Sequence, residues 1–163
     1  MNKKYFKYLL TAAALLLLAA MAGLLYYEYE DSGKIHSAEG IEFGETWVLY
    51  HTRTESRRLH DAVRLTLQSQ PQGFKSLLAT RCDAASCYDL GAVITQIIYR
   101  MGEEQFARML PNLDESEKTW LADMIIVGLE YGGTVNPRQG GTRQFETEFP
   151  KLYKSLGRTD NLE

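Results

Sequence analysis

Cys82 and Cys87 pair a reactive side chain with a short, defined spacing. They stand in RCDAASC, a C-x4-C arrangement, and not in the C-x2-C of a redox motif or of half a zinc site. In an oxidising compartment two thiols this close are expected to pair. The functional alternative, a nucleophilic thiol, needs a base, and no histidine lies near in sequence. His36, His51 and His60 are the three histidines, and His51 and His60 are nine residues apart, too far for an i, i+4 metal pair on one helix. G-x-S-x-G, S-x-x-K and H-E-x-x-H are all absent from the sequence. The chain is therefore expected to hold no catalytic residue, no metal and no cofactor, and to use Cys82 and Cys87 as a structural staple.

The other residues able to do chemistry point to contact more than to catalysis. Glu103, Glu104, Asp114, Glu115 and Glu117 could supply an acid–base pair for glycan cleavage, but no pairing is readable from their spacing. Asp114 and Glu117 stand instead like an N-cap and its third helical residue. The glycine-rich stretch 132–142 lacks the lysine of a phosphate-binding loop, so it reads as a turn or a partner-contact loop. Asn136, Pro137, Arg138 and Gln139 at its centre are the first candidate contact residues, with Asp114, Glu115 and Glu117 second. Arg53, Arg57, Arg58 and Arg64 spread round their helix, as a solvated face does.

Where such residues would work is set by the amino terminus. Tyr8 to Tyr27, YLLTAAALLLLAAMAGLLYY, passes twenty positions without a charge. As a helix this is about 30 Å, the thickness of a bilayer's hydrocarbon core. Lys3, Lys4 and Lys7 precede it, while Glu28, Glu30 and Asp31 follow, an asymmetry that predicts a cytoplasmic amino terminus and an exported remainder. Ala20-Met21-Ala22 also fits a signal-peptidase site, which would release a periplasmic form. The apolar run continues past it and is flanked by tyrosines at both ends, which favours a retained anchor. The expected location is a bacterial inner membrane with the C-terminal domain in the periplasm. Without its three early lysines the chain keeps 15 basic residues against 21 acidic ones, a charge of about −6. Such a balance disfavours nucleic acid as a partner.

The predicted architecture is all-α: a basic segment 1–7, a single transmembrane or signal helix 8–27, a tether 28–44, a small bundle of about five or six helices over 45–157, and a polar tail 158–163. Residues 45–52 mix strand and helix signals and lean towards helix. Ser56 or Thr54 can cap a helix reaching about Ser69, which Pro71-Gln72-Gly73 then breaks. Leu90, Val93, Ile94, Ile97 and Ile98 recur at the spacing of one buried face, and Leu121, Ile125 and Leu129 define a second. Phe145, Phe149, Leu152, Tyr153 and Leu156 belong to a last helix that Pro150 divides or starts.

With no catalytic constellation, the expectation is a binding protein and not an enzyme. The first reading is a periplasmic inhibitor or immunity-type protein that neutralises an envelope-acting toxin. The alternative is a bitopic accessory subunit of an envelope complex, and an envelope hydrolase stands last. In each binding reading the partner is a protein, and Tyr8 to Tyr27 meets the membrane.

Overall fold

The structure, a computed structural model, describes residues 12–23, 25, 34–132 and 142–157, and the backbone alone at Asn112, Thr142 and Arg143. The chain divides after Lys34 into two units. In the first, residues 12–23 form helix α1. Twelve residues of helix span about 18 Å. Among the described residues no helix is long and apolar enough to cross a membrane. The spanning segment expected over Tyr8 to Tyr27 lies partly outside the described residues, at 8–11, 24, 26 and 27.

The second unit is all-α apart from one small hairpin. Strand β1 (Ser37–Ala38) pairs antiparallel with β2 (Ile41–Glu42), in the register Ser37 to Glu42 and Ala38 to Ile41. Its turn, Glu39-Gly40, has positive φ at both residues, as a two-residue hairpin turn of the primed type requires. Ala38, Ile41 and Phe43 are buried in the core. Residues 35–44, expected to be the end of a tether, are thus part of the folded unit. Two-residue strands carry too little alternation to be seen in a sequence.

Eight α-helices follow among the described residues: α2 (Glu45–Tyr50), α3 (Arg53–Leu67), α4 (Pro71–Leu78), α5 (Ala84–Met101), α6 (Glu103–Ala107), α7 (Glu115–Tyr131), α8 (Thr142–Glu148) and α9 (Pro150–Ser155). A short 3-10 turn, Leu110–Asn112, sits before α7. The expectation of five or six helices undercounts them because several are single turns held by distant side chains. Asp89 on α5 accepts the Trp47 N–H of α2 at 2.6 Å. Glu103 on α6 accepts the N–H groups of Lys151 and Leu152, at 2.5 and 2.9 Å, and so caps α9. Gln96 on α5 pairs with the backbone of Glu42 through both amide atoms, as a neighbouring strand would. Each contact satisfies terminal backbone groups that a short element cannot satisfy itself.

Local caps differ from expectation at one place. Thr52, and not Thr54 or Ser56, caps α3: Glu55 N–H donates to Thr52 Oγ1, and Thr52 N–H donates back to Glu55 Oε2. Ser56 is buried instead. Those hydrogen bonds from Thr52, its backbone N–H foremost, hold the Glu55 carboxyl below its ordinary value. α3 ends at Leu67, and Pro71 and Gly73 belong to the first turn of the next helix, α4. Pro71 occupies the first helical position, where its missing N–H costs nothing. Gly73 lies so close to α3 that a Cβ would come within 2.4 Å of Leu65 Cβ.

The centre of the unit is the crossing of α5 and α7, whose buried faces carry Leu90, Ile94, Ile97 and Ile98 against Leu121, Ile125 and Leu129. The closest approach is glycine to glycine, Gly91 on α5 against Gly128 on α7. Thr95 donates its hydroxyl back to its own helix, to the carbonyls of Ala92 at 2.9 Å and Gly91 at 3.2 Å. Pro150 both divides and starts: α8 ends at Glu148 and Pro150 begins α9, whose Leu152 and Tyr153, with Leu156 just after it, join Phe145 and Phe149 in the core.

Candidate partner-contact surface

Cys82 and Cys87 form a disulfide with Cα atoms 5.0 Å apart. It ties the approach to α5 onto the first turn of that helix, and neither sulfur is left as a thiol. Closing a six-residue ring removes about 2 kcal/mol of chain entropy from the unfolded state. Replacing both cysteines with serine is expected to lower stability by about that amount while the fold persists, measured by denaturant unfolding. A variant that fails to fold would show that the bond does more than close a short ring.

The histidines are dispersed. His51 stacks on Trp47, ring centroids 3.7 Å apart, and its Nδ1 donates to the carbonyl oxygen of Trp47 at 3.2 Å. His60 meets its neighbour Asp61, and His36 is exposed on the approach to β1. Among the described residues no three His, Cys, Asp or Glu side chains are grouped to hold a metal ion.

Of the expected contact residues, Asp114 and Glu117 are engaged with the backbone. Asp114 Oδ1 accepts from Glu117 N–H at 2.8 Å, and Glu117 Oε2 accepts from Asp114 N–H at 2.9 Å, which closes a capping box at the start of α7. Glu115 reaches solvent and pairs with Lys118 at 2.7 Å. Asn136, Pro137, Arg138 and Gln139 lie outside the described residues.

Beside that loop in sequence, the structure reveals a feature that the spacing of residues did not. Tyr88, the fifth residue of α5, and Tyr131, the last residue of α7, meet with ring centroids 4.7 Å apart. Both remain substantially exposed, at 45% and 56%. The Glu130 carboxylate beside Tyr131 accepts from its phenol and pushes its pKa up, so the hydroxyl stays protonated as a donor. Tyr88 directly follows Cys87 of the disulfide, and Tyr131 precedes Gly132 in sequence. The available signal was phase: Tyr88 falls on the α5 face away from Leu90, Ile94 and Ile97.

Two clefts flank the α3–α4 pair. One, of about 490 Å³, is walled by Trp47, Arg58 and Arg81 together with the acids Glu55 and Asp61. The other, of about 420 Å³, runs from the α3–α4 turn to α6 and the residues after it. No protein-family model matches this chain, and no similar protein emerges among curated sequences or solved structures.

Proposed function

We propose that this chain is an exported, membrane-anchored binding protein of the inhibitor or immunity type, which captures an envelope-acting toxin on its periplasmic face. The observation that carries the reading is the exposed Tyr88–Tyr131 pair. Tyrosine buries a large apolar ring at low entropic cost and keeps a hydroxyl for hydrogen bonding, which is why it is enriched at binding hot spots. Here the two rings are already held against each other, one by the disulfide-bonded end of α5 and the other by the end of α7. The loop would add contacts around them, and the acidic segment at Asp114, Glu115 and Glu117 would favour a basic partner.

The test is protection of growth when the product of a neighbouring toxin gene is directed to the periplasm. Tyr88→Ala with Tyr131→Ala is expected to abolish protection, because each truncation costs about 2 kcal/mol of binding. Thermal stability should hardly move, since both side chains are exposed. Replacing Asn136 to Gln139 with a Gly/Ser linker of equal length is expected to act in the same direction. Undiminished protection by the double tyrosine variant would sink the reading.

One observation favours a second reading, an accessory subunit of an envelope complex. Leu15, Leu16, Leu17, Leu18 and Met21 on α1 are all more than half exposed. A helix this apolar calls for lipid or for a partner helix around it. Exchanging residues 8–27 for an unrelated membrane anchor separates the two readings. Protection should survive the exchange, whereas assembly of a complex through this helix would not.

A further inference from the structure

The second of the two clefts has a composition at odds with the chain around it. Its floor is apolar, built by Phe74 and Leu113, both buried, with Met109 beside them. Its rim carries two cations, Lys75 from α4 and Arg108 just beyond α6, and among the described residues no carboxylate lines it. In a protein with 21 acidic residues against 18 basic ones, a basic and acid-free concavity is the exception. The neighbouring cleft shows the ordinary case, because there Arg58 and Arg81 share the wall with Glu55 and Asp61. Arg108 does feel Glu104, but that carboxylate is held by Lys151.

The rim is also built and not merely left open. Ser69 closes the α3–α4 turn in the left-handed region, at φ 57°, a conformation that costs a side-chain-bearing residue energy. Gln105 on α6 donates through Nε2 to Ser69 Oγ at 2.7 Å, which joins the two sides of the cleft. With Ser69 Oγ acting as acceptor towards Gln105, its own proton is free to be donated elsewhere. Two cations and a hydroxyl therefore surround an apolar floor in a space of about 420 Å³. Clefts of roughly 300–1,000 Å³ are of the size that takes small ligands.

We infer that this cleft binds a carboxylate attached to an apolar group of one or two amino-acid residues, the chemistry of a peptide's carboxyl end. Arg108 presents a planar fork that matches a carboxylate, and Lys75 adds a point charge. Phe74, Met109 and Leu113 would receive the apolar side chain. This site is independent of the tyrosine pair, and neither proposal depends on the other.

The probes are N-acetyl-phenylalanyl-leucine and its C-terminal amide, titrated into the full-length protein by calorimetry. The acid is expected to bind at least about tenfold more tightly than the amide, the effect of one charge-assisted hydrogen bond. Lys75→Gln and Arg108→Gln should each weaken the acid by about tenfold and leave the amide unchanged. Both side chains are exposed, so both variants should keep the wild-type melting temperature. Arg57→Gln, an exposed arginine outside the cleft, should change nothing. An acetylated decapeptide ending in the same two residues identifies the source. Equal affinity assigns the site to the end of a protein chain, and lost affinity assigns it to a free small carboxylate. Equal binding of acid and amide, or no binding of the acid at millimolar concentration, overturns the proposal.

Discussion

Gly128→Ala is expected to destabilise the fold by about 2–3 kcal/mol, the cost of forcing extra volume into a close-packed contact. A Cβ at this position would come within 2.1 Å of the Gly91 carbonyl oxygen, 2.4 Å of its carbonyl carbon and 2.7 Å of Thr95 Cγ2. Two of these are backbone atoms, with no rotamer to escape into, so α5 and α7 must part. The sign makes the experiment decisive. In a solvated helix the same change would stabilise by about 1 kcal/mol, because alanine is the better helix former. Gly91→Ala should act in the same direction but less strongly, since its nearest contact, Met124 O, is at 2.7 Å. Denaturant unfolding should show a lower midpoint at unchanged slope. A stabilised Gly128→Ala protein would mean that the two helices do not touch there.

Ile97→Ala is expected to cost about 4 kcal/mol, towards the upper end of the range for a buried aliphatic side chain. Ile97 is fully buried, as are Ile94 and Leu121, so truncation leaves a void that packed neighbours fill only in part. Leu121→Ala should fall in the same range of about 2–5 kcal/mol. Arg57, on the exposed face of α3, is the internal control. Its truncation should cost less than about 0.5 kcal/mol. A reversal of that order in equilibrium unfolding would show that the helical phases of α3 and α5 are misassigned.

These two helices were the most legible part of the chain, and the reason is physical. Leu90, Ile94, Ile97 and Ile98 repeat at the period of a helix, and Asp114 with Glu117 caps α7 within four residues of sequence. The staple was legible too, because Cys82 and Cys87 lie only five positions apart and no nearby histidine suggests another use for them. What escaped was whatever depends on a partner far along the chain. Trp47 N–H finds Asp89 42 residues on, and Lys151 N–H finds Glu103 48 residues back. No local pattern announces either contact, so residues 45–52 only leaned towards helix, and whether Pro150 divided or started the last helix stayed open. The tyrosines were missed for a related reason. An aromatic off the apolar stripe gives no sign of whether a neighbouring helix will cover it. The tyrosine that meets Tyr88 lies on a different helix altogether.

Three of the long-range side-chain contacts, those of Asp89, Gln96 and Glu103, also bear on the order of folding. Asp89 and Gln96 complete elements that were made much earlier in the chain, α2 and β2. At synthesis rates of roughly 5–20 residues per second, residues 37–50 wait on the order of 2–10 s before the groups that close them exist. During that interval Trp47, Phe43 and Ile41 have no core to enter and are open to holding factors or to aggregation. The carboxyl-terminal end faces no such delay, because Glu103 is already present when Lys151 and Leu152 emerge. The segment 37–50 is therefore the part that waits longest between its own synthesis and its protection.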